Sequence, residues 1–207
     1  MSLEDFELVE EKVQDIRFGI INIFNSLDDK EYLIMEKSRR SYSQEDHAFS
    51  CMQAEERLKI QHPNILRMLW VDKDDLNWMT SAYFEYPNED LCDRKEELND
   101  PRELIRLLND MLEAMTYLQR HKMVHGDIRP EYIFYNRLTE RYVLLDRLID
   151  ASPAHQAQMN NIFYQDKNLY MSPVLFNELC QGNLRIKHNP FKSEVFSLGM
   201  VILSMYI

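Results

Sequence analysis

Two histidines, His121 and His125, stand four residues apart, the spacing at which a helix presents a pair of zinc ligands. No third ligand follows them, so the pair alone does not make a metal site. Cys51, Cys92 and Cys180 lie far apart, with neither a CxxC pair nor an even count, which argues against a disulfide framework and suits a reducing cytoplasm or nucleus. Glycine is scarce. Average usage would give about 14 in this length, yet only Gly19, Gly126, Gly182 and Gly199 are present, so no glycine-rich phosphate loop can be intact. With 24 basic and 35 acidic side chains the net charge is −11. That balance repels phosphate backbones and anionic membranes, and disfavours nucleic-acid binding as the main task.

The elements that must position any site follow from pattern. A chain of 207 residues with 45% hydrophobic and 11% aromatic content can build a real core. Leu8–Val13, Ile20–Asn25 and Glu31–Lys37 read as strands, with turn residues in SLDDK before the third. Ser43 is a candidate N-cap for a charged helix running to Gln61, which His62-Pro63-Asn64 stops. Ile65–Asp72 and Asn77–Glu85 read as further strands around the DKDD turn. Asp100-Pro101-Arg102-Glu103 combines an N-cap, a proline at the first helical position and an acid at the third, so a helix starts there. Leu104, Leu107, Leu108, Met111, Leu112, Met115 and Leu118 then form one apolar stripe. Tyr132–Tyr135 and Tyr142–Leu145 are short strands, and Phe196–Ile207 is an apolar helix too short to span a bilayer. The N-terminal run MSLEDFELVEEK lacks the basic and apolar regions of a signal peptide. No membrane segment is expected.

Read in order, these runs resemble the protein kinase fold over nearly the whole chain. VHGDIRPEY at Val124–Tyr132 is similar to the family's catalytic loop HRDLxxxN, and the acid ending VLLD, Asp146, to that of its DFG motif. HPNI at His62–Ile65 resembles the junction after the αC helix. Phe84-Glu85-Tyr86-Pro87 followed by Asp90-Leu91 resembles the hinge, Tyr170–Pro173 the end of the activation segment, and Ser193–Met200 the start of the central αF helix. The resemblance also sets His121 and His125 on opposite sides of a helix end, which removes the zinc reading.

The resemblance implies roles residue by residue. Asp127 falls where the family places the carboxylate that orients the substrate hydroxyl, and Arg129 where a cation steadies the transferred phosphate. Asp146 falls at the main magnesium ligand. Tyr132 replaces the asparagine that holds a second magnesium ion, and a neutral phenol is a poor ligand for a hard cation. Arg147 and Leu148 replace the phenylalanine and glycine of DFG. With Gly19 on the third loop glycine, Gln14 and Ile16 occupy the other two and obstruct close approach to phosphate. The strand-three lysine is either Lys37 or, in a different register, Met35 takes its place; Glu56 could pair with Lys37, because Gln53 occupies the position of the usual glutamate. Gly126 replaces the arginine that answers a phosphorylated activation segment, so control through Tyr164, Tyr170 or Ser172 by that route is not expected. Val174 replaces the glutamate of APE, and Glu194 the aspartate that fastens the catalytic loop.

The resulting expectation is an α+β, bilobal, protein-kinase-like fold with a small β-rich lobe over residues 1–86 and a partial helical lobe over 87–207 that stops at the αF-like helix. Gly19, Lys37, Phe84, Glu85, Pro87 and Asp146 are the candidate nucleotide contacts, Asp146 the candidate metal ligand, and Asp127 and Arg129 the candidate catalytic pair. The expected function is that of a pseudokinase or strongly impaired kinase acting by binding a protein partner, with ATP and Mg2+ bound weakly or not at all. The alternative is an active serine/threonine kinase with atypical motifs. A cytoplasmic or nuclear location is expected.

Overall fold

The computed structural model describes residues 3–15, 19–28, 32–87, 89–145, 170–183 and 188–206. They fall into two compact units, the first holding the described residues up to Gln61 and from Leu66 to Pro87, the second holding His62–Ile65 and the described residues from Glu89 onward. His62–Ile65 joins the second unit because Leu144 N–H donates to the Asn64 carbonyl at 2.9 Å and Ile65 bridges Leu144.

Among the described residues the first unit is an antiparallel sheet with one helix. Its strands are β1 (Phe6–Asp15), β2 (Gly19–Ser26), β3 (Leu33–Arg40), β4 (Met68–Asp74) and β5 (Met79–Glu85), in the order β1-β2-β3-β5-β4. β3 is central, and Ile34–Ser38 are buried on both of its faces. It runs three residues past the expected end at Lys37, since Arg39 and Arg40 still find partners in Thr80 and Met79. Cross-strand partners share a face, so Met35, Lys37 and Arg39 lie with Phe84, Ala82 and Thr80. Ile34 packs on the other face with Phe24 and Tyr83, bordered by Phe6, Tyr32, Leu69 and Trp70. The helix α1 (Gln44–Leu58) begins at Ser43, whose hydroxyl accepts from Asp46 N–H as the sequence predicts. It ends at Leu58, before the proline at position 63, with Lys59 N–H closing onto the last turn.

The second unit is built on α2 (Pro101–Arg120) and a hairpin of β6 (Ile133–Asn136) and β7 (Arg141–Leu144). Asp100 caps α2 by accepting from Arg102 N–H, a contact of about 1 kcal/mol. Leu107, Met111 and Leu118 are fully buried with Leu91, Leu98, Ile128, Ile133, Tyr142 and Leu144, each worth about 1.5–3 kcal/mol of apolar transfer. The predicted stripe is displaced at one edge: Leu112 is 43% exposed, whereas Asp110 is buried. The reason is polar, because the Asp110 carboxylate accepts the Tyr142 N–H at 2.8 Å and draws that side of α2 onto β7. The described residues continue with α3 (Pro173–Cys180) and α4 (Pro190–Met205). α4 starts at Pro190, six residues before the apolar run, with Asn189 as its N-cap accepting from Lys192 N–H.

Candidate functional site

Residues 125–132 form a loop fixed from three directions within the second unit. His125 is fully buried; its Nδ1 accepts from Asp127 N–H at 3.3 Å, which leaves Nε2–H to donate to the Leu145 carbonyl at 2.7 Å. Leu145 N–H returns a bond to the Tyr132 carbonyl at 2.7 Å. From α4, Glu194 Oε1 accepts Gly126 N–H at 2.8 Å. Glu194 is only 3% exposed, so this is a charge-assisted bond in a site shielded from water, the stronger kind. Gly126 has φ of 81°, a left-handed conformation open to glycine at little cost. The fastening expected of Glu194 is therefore present, and the glycine before Asp127 fits the turn that the fastening imposes.

This loop brings Asp127 and Arg129 together. Arg129 Nε and Nη2 both donate to Asp127 Oδ1, at 3.0 and 2.8 Å, and the two side chains are 9% and 7% exposed. The guanidinium also lies over aromatic faces, its carbon 5.6 Å from the Tyr132 ring centre and 5.9 Å from that of Tyr170. Tyr132 is itself buried, 6.3 Å from the His125 ring. Tyr170 donates to Ser204 of α4 at 3.3 Å, and Ser172 and Ser193 share a hydrogen bond at 3.0 Å. A carboxylate, a guanidinium and two phenol rings thus make one compact group.

The other candidates belong to the first unit. Lys37 is buried in β3 opposite Ala82, and Met35 is buried opposite Phe84. Lys37 is therefore the cation of the α1-facing side in the middle of the sheet, with Met35 an apolar neighbour beside Phe84. The expected partner of Lys37 is elsewhere occupied: Glu56 points outward and pairs with Lys59 at 2.7 Å. An exposed carboxylate with a lysine one turn away needs no buried partner. Glu85 ends β5 and pairs with Arg67 at 3.2 Å, and Tyr86 N–H donates to the Leu33 carbonyl. Pro87 follows in irregular backbone, and Gly19 opens β2 opposite Asp15. Asp146, Arg147, Leu148, Ile16 and Tyr164 lie outside the described residues. Histidine pairing for metal is not formed: His121 packs at a tilt against Tyr117 and bonds its carbonyl, while His125 turns to Leu145. Among the described residues no cluster of His, Cys, Asp or Glu could hold a metal ion, and no helix is long and apolar enough to cross a membrane.

Sequence reasoning missed a second polar group in this unit. Arg94 is buried between Glu89 and Glu103, with its guanidinium 3.7 Å from the Tyr135 ring centre. Arg137 holds Glu89 through both carboxylate oxygens at 2.9 and 3.0 Å. Nearby, burial followed by the charges of Asp90, Glu131 and Asp93 pushes the Cys92 thiol up to about 12. The only advance signal was the density of acids in Glu89–Asp93.

The protein kinase domain family matches residues 21–207. The chain belongs to the protein kinase family. Its relatives include a probable inactive serine/threonine-protein kinase of Dictyostelium discoideum, 26% identical over 159 residues, covering 73% of this chain and 13% of the relative. The serine/threonine-protein kinase max-2 of Caenorhabditis elegans is 27% identical over 148 residues, covering 70% of this chain and 21% of that protein. The inhibitor of nuclear factor kappa-B kinase subunit beta of Bos taurus is 21% identical over 178 residues, covering 78% and 23%. The chain thus spans less than a quarter of the length of each of these relatives.

Proposed function

We propose that this kinase domain acts by binding a protein partner, with phosphoryl transfer strongly impaired. The observation that carries the reading is Tyr132. At the position where the family resemblance calls for a magnesium-holding carboxamide, a phenol ring is buried between His125 and the Arg129 guanidinium. A hard cation there would face a neutral phenol and a neighbouring positive charge instead of amide or carboxylate oxygen. That magnesium position does not fit the residues present. Residual nucleotide affinity would fall to Lys37, to Gly19, to Phe84, Glu85 and Pro87, and to Asp146. It is weak on this reading, because Gln14 and Ile16 replace loop glycines and Arg147 and Leu148 replace the rest of DFG. The Dictyostelium relative described as inactive supports the same direction.

A second reading, an active serine/threonine kinase with atypical motifs, is favoured by one feature. Asp127 keeps the carboxylate that hydroxyl orientation requires, Arg129 keeps the charge but not the lysine geometry for steadying phosphate, and the two are in contact. Two measurements separate the readings. Thermal melting with ATP, with and without magnesium, is expected to show no magnesium-dependent stabilisation, and labelled γ-phosphate is expected not to reach a generic protein substrate. Incorporation that disappears in Asp127→Asn would establish the active kinase instead.

A further inference from the structure

On the face of the first unit's sheet away from Lys37 and α1, a carboxylate is buried among neutral donors. Side chains alternate along a strand, so Ile34, Glu36 and Ser38 of β3 face away from Met35, Lys37 and Arg39. Glu36 lies opposite Asn22 of β2 and Tyr83 of β5, and Tyr83 lies opposite Trp70 of β4. One row of side chains thus crosses four strands. Glu36 is 9% exposed; its Oε2 accepts from Asn22 Nδ2 at 2.8 Å, and its Oε1 from the hydroxyls of Ser38 at 2.6 Å and Tyr83 at 3.2 Å. Burial first, and then the charges of Glu36 and Asp72, push the Tyr83 phenol up, so its proton stays in that bond. A carboxylate accepts about four hydrogen bonds, which leaves Oε2 room for one more. The other end of the Asn22 amide, Oδ1, is also buried and has no hydrogen-bond partner.

The second unit shows what such a group takes. Arg94 lies 3.5 Å from Glu89 and 3.6 Å from Glu103, with its guanidinium against the Tyr135 ring. Arg129 bonds Asp127 with its guanidinium over Tyr132. In both places a buried carboxylate beside a tyrosine ring holds an arginine. The Glu36 group has the same parts except the cation. Tyr83 is stacked on Trp70 with ring centres 4.4 Å apart, and Trp70 keeps part of its surface exposed, with Phe6 at 6.1 Å on its border. Among the described residues Glu36 has only its three neutral partners. A buried charge without an opposite one is costly, and a cation supplied from outside would offset that cost.

We propose that this face of the sheet docks an arginine side chain of a protein partner, with Glu36 as the anion and Trp70 as the ring against which the guanidinium lies. The guanidinium donates to Glu36 Oε2, a charge-assisted bond in a site largely shielded from water. Arginine suits the site better than lysine, because its planar, weakly hydrated head stacks on an aromatic surface and leaves water more readily. The net charge of −11 favours approach of a basic segment. This inference rests on the proposed reading only in giving its protein partner a docking face; the face itself does not depend on the loss of phosphoryl transfer.

The test titrates the peptide acetyl-Gly-Gly-Arg-Gly-Gly-amide into the 207-residue chain at physiological salt, which screens general attraction to the negative surface. Binding is read from the NMR resonances of the two indole N–H groups, Trp70 and Trp78. The expected result is a saturable shift at Trp70 and none at Trp78, with affinity severalfold lower when lysine or citrulline replaces the arginine, and loss of binding in Glu36→Gln. No saturable shift at millimolar peptide, equal binding of the lysine or citrulline peptide, or unchanged affinity in a folded Glu36→Gln variant would overturn the proposal. Should Glu36→Gln fail to fold, Trp70→Leu decides instead, with binding followed at the Glu36 backbone amide: it must weaken binding severalfold, and an unchanged affinity overturns the proposal. Failure here leaves the γ-phosphate and ATP measurements as they stand, whereas phosphate incorporation would sink the proposed reading with the docking face intact.

Discussion

The catalytic-type loop at 125–132 and the helix α1 are both positioned by polar side chains, but they are held in opposite ways. The loop is closed by buried bonds to Leu145, just past β7, and to α4, through His125, Tyr132 and Glu194, and its Asp127–Arg129 pair is sealed from water. α1 is tied at its rim, by Arg39 to Asp46 at 3.2 Å, by His47 to Asp75 and by Lys73 to Glu55, with only Cys51 and Ala54 as apolar members of its buried face. The contrast shows which parts of a kinase fold this sequence has kept. The bonds that hold the loop's shape are present, while on the proposed reading the position of Tyr132, which would otherwise meet metal, has changed.

The sharpest way to break that comparison is Arg129→Ala. It leaves the Asp127 carboxylate charged in a buried site, and losing one partner of a buried pair costs about 3–5 kcal/mol. The midpoint of denaturant unfolding is expected to fall accordingly, and to recover in part when Asp127→Asn is added to remove the buried charge. An unchanged midpoint would mean that the pair is not a structural member of the loop. The corresponding change on the other side, Arg39→Ala, removes a 23%-exposed partner from Asp46, whose carboxylate also accepts from Tyr42 N–H, and is expected to cost less than Arg129→Ala. It is also expected to weaken further in salt, since charges near the surface are screened. If Arg39→Ala proved as costly as Arg129→Ala, the distinction between sealed and rim contacts would fail.

What could be read beforehand follows the same line. Periodicity and capping signals located the five strands of the sheet, α1 and α2, because each rests on local rules: Ser43 and Asp100 cap as their types require. The same signal was present twice more, at Ser172-Pro173 and Asn189-Pro190, and opens α3 and α4. There the surrounding sequence reads as polar, and the apolar run from Phe196 masks the signal. The order of motifs made the loop legible, including its fastening by Glu194. Tertiary pairings were not legible. Nothing local distinguishes Asp110, which enters the core to meet the Tyr142 N–H, from Leu112, which faces solvent. Nor does helix spacing reveal that Glu56 turns to Lys59 and away from Lys37.

The smallest effect concerns the charge group around Arg94, intermediate between the sealed loop and the open helix rim. Glu89 there is buried, but its partner Arg137 is largely exposed. The hydrogen bonds from Arg137, outweighing burial, hold the Glu89 carboxyl below its usual value, with Arg94 adding to the effect. A carboxylate whose value is lowered by folding contributes stability that is complete above the ordinary glutamate range near pH 4.3. That contribution is lost as pH falls through the lowered value. Glu89→Gln should therefore flatten the acid limb of the stability curve below about pH 4.5, while the difference between variant and wild type stays constant above it. Unfolding midpoints measured from pH 3 to 7 provide the check. A pH-independent difference across that whole range would show that Arg137 and Arg94 leave Glu89 as it is in the unfolded chain. The network would then belong with the rim ties of α1, not with the loop.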